Sequence, residues 1–79
     1  MSKKLYEIIS RVLNTPITEI NDDSGAETLT EWDSFNLYVM LDEIENKFNV
    51  KFSLEETLQI KNVGDFKKNL EKYGVNLNE

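Results

Sequence analysis

Apolar residues recur at spacings of three and four positions along this 79-residue chain, and this spacing restricts its fold more than any other feature. The first such stripe consists of Leu5, Ile8, Ile9, Val12 and Leu13. Stripes of this kind let helices bury one face each. Because a chain this short buries only about 60% of its unfolded surface, we expect one domain that covers residues 1–79.

The first helix is predicted to begin after Ser2, which can cap it, and to end near Asn14. Pro16 sets this end because it disfavours helical geometry at Thr15. The irregular stretch from Thr15 to Asp33 then predicts a long first loop. A second helix follows this loop, with an inward stripe of Leu37, Met40, Leu41, Ile44 and Phe48.

Two further helices are indicated by their capping residues. Residues 53–56, Ser-Leu-Glu-Glu, have the capping-box pattern and predict a short helix to about Leu58. Asn62 can cap a last helix that Gly74 closes, with four inward residues, Val63, Phe66, Leu70 and Tyr73. The pattern therefore predicts an all-α fold, a small irregular four-helix bundle with three main helices, one short helix and a long first loop.

The residue types that are missing exclude several functions. The chain has no cysteine and therefore no disulfide, thiolate zinc site or cysteine nucleophile. It also has no histidine, which is the usual general base near neutral pH and the commonest metal ligand. We therefore expect neither a self-contained enzyme nor a metal site.

Charge is distributed unevenly. No lysine or arginine lies between Arg11 and Lys47, whereas that stretch holds nine acidic residues. Such a field repels nucleic acid and anionic membranes and favours a basic partner surface, although a merely solvated acidic face is the alternative. No signal-type run or membrane-spanning segment is found, so we expect a cytoplasmic monomer that binds neither nucleic acid nor membrane.

Three apolar residues of the second helix, Phe35, Tyr38 and Val39, lie outside its inward stripe. The ordinary interpretation is that they pack beneath the first loop against Ile17, Ile20 or Leu29. The alternative is an exposed apolar patch that binds a partner.

The tripeptide Asp33-Ser34-Phe35 resembles the Asp-Ser-Leu attachment motif of acyl carrier proteins. Residues 44–50, Ile-Glu-Asn-Lys-Phe-Asn-Val, are similar to the acidic helix end and Phe-Gly-Val turn of that family. Phe52-Ser53 occupies the place of its aliphatic residue followed by proline or serine, and residues 62–65 resemble its Thr-Val-x-Asp helix start. The resemblance extends over nearly the whole chain and implies the acyl-carrier fold.

The resemblance implies a carrier rather than an enzyme. A phosphopantetheinyl transferase would attach phosphopantetheine from coenzyme A to Ser34, with Asp33 as a loading contact. The arm would hold an acyl group as a thioester for acyl-transferring or ligase enzymes with basic docking faces, in fatty-acid, polyketide or related biosynthesis. D-Alanyl and aminoacyl or peptidyl groups are alternative cargoes. A phosphodiester at the start of the second helix would be favoured by the helix dipole.

Besides Phe35 in place of the motif's leucine, this chain departs from the family at two places near Ser34. Glu31-Trp32 stand where Gly-Ala often precedes the motif, which predicts a stiffer approach and a large ring beside the arm. Val39 replaces a frequent glutamate, so Val39→Asp is expected to weaken partner binding more than charge reversal at Glu45. The predicted partner face consists of Phe35, Tyr38, Val39, Asp42, Glu43 and Glu45.

Two alternatives belong to other classes. A loop that begins at Ile20 has five residues at ligand or turn positions of a calcium loop, namely Asp22, Ser24, Gly25, Thr28 and Glu31. Its first position should be acidic and is instead Ile20, so an anchoring ligand is missing. The other alternative is a helical interaction protein without a prosthetic group, in which Ser34 is only a helix cap.

Overall fold

The protein, described here for residues 3–77 by a computed structural model, is a bundle of four helices. They are α1 at Lys3–Leu13, α2 at Ser34–Phe48, α3 at Leu54–Leu58 and α4 at Val63–Lys72, with one 3-10 turn at Ile17–Glu19 in the first loop. This confirms the prediction of three main helices and one short one. In residues 3–77 no helix is long and apolar enough to cross a bilayer.

The ends of the three main helices carry left-handed backbone conformations. Asn14 follows α1 with φ 53°, Asn49 follows α2 with φ 56°, and Gly74 lies just beyond α4 with φ 82°. Glycine and asparagine are the residues that tolerate this conformation most easily. The predicted ends at Asn14 and Gly74 are therefore confirmed, whereas the proposed cap Ser2 lies outside the described residues.

The starts of α3 and α4 follow their predicted caps. Ser53 Oγ accepts the Glu56 backbone N–H at 3.1 Å, and Glu56 returns a bond to the Ser53 N–H at 2.8 Å, which completes a capping box. Asn62 Oδ1 accepts the Asp65 N–H at 2.9 Å. Both caps are local in sequence, and both predictions are confirmed.

The core is formed by the inward stripes of the helices together with buried residues of the loops. Its fully buried side chains are Phe66, Leu5, Ile9, Leu13, Met40, Ile44, Leu70 and Val63. Leu37 and Phe48 are only partly buried and pack against the edge of this core.

Tyr73 was predicted to point inward, and this prediction is wrong, because its side chain is 41% exposed. Its ring stacks on Phe52 with centroids 5.7 Å apart, and its hydroxyl donates to Glu56 Oε1 at 2.5 Å. Because Phe52 is itself buried, Tyr73 covers the outer side of that ring rather than entering the core. Lys72 Nζ also reaches Glu56, at 2.7 Å, and this contact joins the end of α4 to α3.

The first loop is hydrogen bonded to the start of α4. The carbonyls of Asp22 and Ser24 accept the N–H groups of Gly64 and Val63, each at 2.9 Å. These bonds satisfy donors that a helix start leaves unpaired. Gly25 lies so close to the chain before α4 that a Cβ would stand 2.0 Å from the Lys61 carbonyl oxygen.

A second contact fixes the same loop to two helices. The Asp22 carboxylate accepts the hydroxyl of Tyr6 from α1 and lies 2.7 Å from Lys67 Nζ of α4. Hydrogen bonds from Lys67 and then Tyr6 lower the pKa of Asp22. Burial and the bond to Asp22 raise the pKa of the Tyr6 hydroxyl. The first loop is therefore irregular in conformation, and contacts to both α1 and α4 fix it in place.

Candidate functional site

Ser34 is the first residue of α2, and its side chain is exposed. The residue before it, Asp33, caps the helix, since Asp33 Oδ1 accepts the Asn36 N–H at 2.8 Å. The Asp33 carbonyl accepts the Leu37 N–H, also at 2.8 Å. No group of residues 3–77 accepts the N–H groups of Ser34 and Phe35. The helix start thus presents a hydroxyl and two backbone donors to the surface.

Asn36 is a residue of this site that the sequence interpretation missed. Its side-chain Nδ2 donates to the Glu31 carbonyl at 2.8 Å, while its N–H is held by Asp33. The two bonds join the end of the first loop to the first turn of α2 across Ser34. The three-residue spacing from Asp33 is the usual capping distance, but the bond to Glu31 depends on the loop path, which no sequence period specifies.

Trp32 was expected beside the arm, and this expectation is wrong. Its side chain is 5% exposed and belongs to the core. The indole ring lies against the Phe66 ring of α4, with centroids 5.9 Å apart and planes inclined by 49°. Burial of Trp32 therefore fixes the residues that precede Ser34 against the core. The expectation failed because a large apolar ring is stabilised by burial and the loop reaches far enough to allow it.

Two of the three apolar residues of α2 outside its inward stripe are exposed rather than covered by the first loop. Phe35 is 75% exposed and Tyr38 is 55% exposed, while Val39 is partly buried. The ordinary interpretation, that this group packs against the loop, is therefore wrong for Phe35 and Tyr38. Together these three residues form the apolar face of α2, which begins directly after Ser34.

The three acidic residues predicted for partner binding differ in their surroundings. Asp42 is exposed. Glu43 forms an ion pair with Arg11 of α1 at 2.5 Å. Glu45 is mostly buried, and its Oε2 accepts the Phe52 backbone N–H at 2.8 Å. Asp42 is thus the one of the three that is not engaged within the described part of the fold.

The residues of the calcium-loop alternative are engaged in contacts within the protein. Asp22 binds Tyr6 and Lys67, and Ser24 is buried with its Oγ accepting the Asn21 N–H at 2.9 Å. Thr28 Oγ1 accepts the Gly25 N–H at 2.9 Å. These contacts use oxygens that a calcium loop would direct at the ion, so they disfavour the alternative.

Comparison with known proteins shows the family to which this chain belongs. Residues 3–70 match the family described as phosphopantetheine attachment site, and the chain therefore belongs to it. Among solved structures, the fold is similar to a Mycobacterium tuberculosis protein provisionally described as an acyl carrier protein. The TM-score is 0.80 at 24% identity, over 90% of this chain and 95% of that chain. No curated protein sequence matches significantly.

Membership of this family makes the protein a carrier rather than an enzyme, with phosphopantetheine as its prosthetic group. The predicted carrier function, fold and prosthetic group are confirmed at this level. When bound, the group supplies a thiol that can hold a cargo as a thioester. The described residues fit it, because the Ser34 hydroxyl and two unpaired N–H groups lie together at a helix N-terminus, which favours a phosphate.

Proposed function

We propose that Ser34 is the residue that carries the phosphopantetheine arm. One observation supports this above others: of the serines in residues 3–77, only Ser34 has a hydroxyl with no hydrogen-bond partner there. Ser10 Oγ donates to the Thr15 carbonyl at 2.6 Å, Ser24 Oγ accepts from Asn21, and Ser53 Oγ caps α3. Ser34 is also the described serine that begins a long helix.

Asp33 is proposed as the loading contact. One carboxylate oxygen, Oδ1, is occupied by the cap bond to Asn36, and the exposed side chain leaves Oδ2 for a transferase or a cation that it brings. The cap also fixes the direction of the carboxylate relative to Ser34. Asp33 therefore has a structural role and a charge role, which substitution can separate.

The whole chain is proposed to act as one carrier domain for acyl groups in fatty-acid, polyketide or related biosynthesis. Its partners are the phosphopantetheinyl transferase and enzymes that load or receive the acyl group. The apolar face of α2 supplies their contact next to Ser34, and exposed Asp42 follows it on the same helix. The charge of the middle of the chain, with no base from 12 to 46, favours basic docking faces on those enzymes.

Mass spectrometry tests this proposal directly. The protein is incubated with coenzyme A and a broad-specificity transferase, and the expected result is one added phosphopantetheine. Ser34→Ala should gain none, whereas Ser53→Ala, a change at another exposed serine near a helix start, should be loaded normally. Loading of Ser34→Ala, or no loading of the folded natural protein, would overturn the proposal.

A further inference from the structure

Three buried aromatic rings form part of the core, and one of them belongs to the residue two positions before Ser34. Trp32 precedes Ser34 by two residues, so their Cα atoms are within about 7 Å of each other. The Trp32 ring packs on Phe66, and Phe66 in turn packs on Phe52 with centroids 6.4 Å apart. All three side chains are buried. We call Trp32, Phe52 and Phe66 the aromatic cluster.

We propose that the cargo on the arm stays outside the core, and that this carrier accordingly serves short or polar acyl groups rather than long aliphatic chains. This inference rests on the proposed attachment at Ser34 and names the class of substrate. It follows from the aromatic cluster and from the position of Ser34 beside it.

A comparison of buried apolar areas indicates which acyl chains could enter the core. A Trp or Phe side chain buries about 150 to 250 Å². A methylene group buries about 30 Å², from the transfer free energies per area and per group. A chain that displaced Trp32 would therefore need about five to eight methylenes merely to replace the apolar area that it exposed. Shorter chains gain nothing by entering, and longer chains must also disturb the packing of Phe66 and Phe52.

The surroundings of the cluster give little freedom for a smaller rearrangement. Phe66 is fully buried, and Tyr73 stacks on the outer side of Phe52 while its hydroxyl is bonded to Glu56. Interiors are packed about as densely as organic crystals, so rings held on both sides do not shift to admit a chain without cost.

Two surface cavities of residues 3–77 lie away from Ser34. One lies between α1 and α2 and is lined mainly by charged and polar residues, including Lys4, Glu7, Glu43 and Lys47. A second is lined by residues 10, 11 and 14–16. Neither is lined by residues of the first turns of α2, so neither adjoins Ser34.

The test uses the natural protein, loaded with acetyl, butyryl, octanoyl or dodecanoyl phosphopantetheine from the corresponding coenzyme A thioesters. Intact mass first verifies one arm, with Ser34→Ala as the unloaded control. Absence of loading would overturn the proposed function and this inference with it. The loading result therefore tests the attachment at Ser34, and the measurements on the loaded forms test the proposed class of cargo.

Two measurements on the loaded forms then decide the inference. Trp32 is the only tryptophan, so its fluorescence reports contact with the chain; an octanoyl chain brominated near its end would quench it on entering the core. We expect quenching within 10% of that for the brominated acetyl form and the same Tm, to about 1 °C, from acetyl to dodecanoyl. Quenching of half the signal or more, or a Tm that rises from acetyl to dodecanoyl, would overturn the inference.

A matched variant checks the physical cause. Phe52→Leu removes a ring from the cluster but keeps an apolar side chain, and it leaves Trp32 as the reporter. We expect the brominated octanoyl chain to quench this variant at least twofold more than the natural protein. Equal strong quenching in both proteins would show that the cluster does not exclude the chain and would overturn the inference.

Discussion

The carboxylate of Glu45 accepts the backbone N–H of Phe52 at 2.8 Å, and this bond joins the last turns of α2 to the segment before α3. An acidic residue of the predicted partner face is thus part of the fold. A substitution of Glu45 can therefore change stability as well as partner binding, so the two effects have to be measured separately.

Charge reversal at Glu45 is expected to destabilise the protein. Glu45→Lys leaves the Phe52 N–H without its acceptor, which costs about 1 to 3 kcal/mol of unfolding free energy. Glu45→Gln keeps an acceptor oxygen and should lose less than half of that. Urea denaturation measures both, with exposed Asp42→Lys as the control, expected to change by at most about 0.5 kcal/mol. Equal losses at both positions would contradict this role.

The cap and the charge of Asp33 are expected to separate on substitution. Asparagine is as good a helix cap as aspartate, so Asp33→Asn should keep unfolding free energy within about 0.5 kcal/mol, while Asp33→Ala should lose about 1 kcal/mol. Both variants lack the carboxylate and should be loaded at least tenfold more slowly by the transferase. Stability is read from denaturation and loading from intact mass against time. Normal loading of Asp33→Asn would show that the charge is dispensable.

Partner binding is expected to depend more on the apolar face of α2 than on the exposed acid that follows it. Val39→Asp places a charge in this face and should raise the KM of the transferase at least tenfold. Asp42→Lys removes a surface charge, which is a weak contribution, and should raise it about threefold, with the difference shrinking in high salt. Circular dichroism verifies that both fold. A larger effect at Asp42 would reverse the assignment.

Stability is expected to fall in acid through Glu56. Hydrogen bonds from Lys72 first, then Tyr73 and the Ser53 N–H, lower the pKa of Glu56 from 4.5 to about 2. Because the folded pKa is the lower one, the unfolded state binds the proton first as the pH falls. The stabilisation from this group is therefore complete above about pH 4.5 and is lost as the pH falls towards 2.

The measurement is the unfolding free energy of the natural protein and Glu56→Gln at pH 6, 4 and 2.5. We expect the difference between them to shrink steadily as the pH falls, since only the natural protein has this carboxylate to protonate. A difference that is constant over this range would show that Glu56 acts through packing alone.

Gly25 is expected to tolerate no side chain. A Cβ would lie 2.0 Å from the Lys61 carbonyl oxygen and 2.8 Å from the Asn62 Cα, both of them backbone atoms. Gly25→Ala should therefore lower the unfolding free energy by about 1 to 3 kcal/mol or more, because the loop has to separate from the start of α4. The adjacent exposed Ala26→Gly should lose at most about 1 kcal/mol. Similar Tm values for the two variants would contradict the close approach.

The helices could be predicted because their signals are local. Ser53 and Asn62 cap the helices that follow them, and Asn14 ends the first one, with geometry set by residues at most four positions away. Ser34 could likewise be placed at a helix start. The incorrect predictions concern which side chains are buried and which are exposed. The periodicity of one helix contains no information on the segments that pack against it.

Trp32, Tyr73 and Phe35 illustrate this limit. The burial of Trp32 depends on Phe66, which lies far along the chain, and Tyr73 stays outside because Phe52 already occupies the interior there. Phe35 is exposed because the first loop turns towards α4 instead of covering α2. Each outcome requires a contact between segments that are distant in sequence, and a single sequence does not specify such contacts.

The bonds between the first loop and the start of α4 have a consequence for synthesis on the ribosome. The approach to Ser34 is held by Trp32 on Phe66, and the loop before it by the N–H groups of Val63 and Gly64. A nascent chain that has emerged only as far as α2 lacks all of these partners. We therefore expect the segment before Ser34 to become ordered only after translation has passed Phe66.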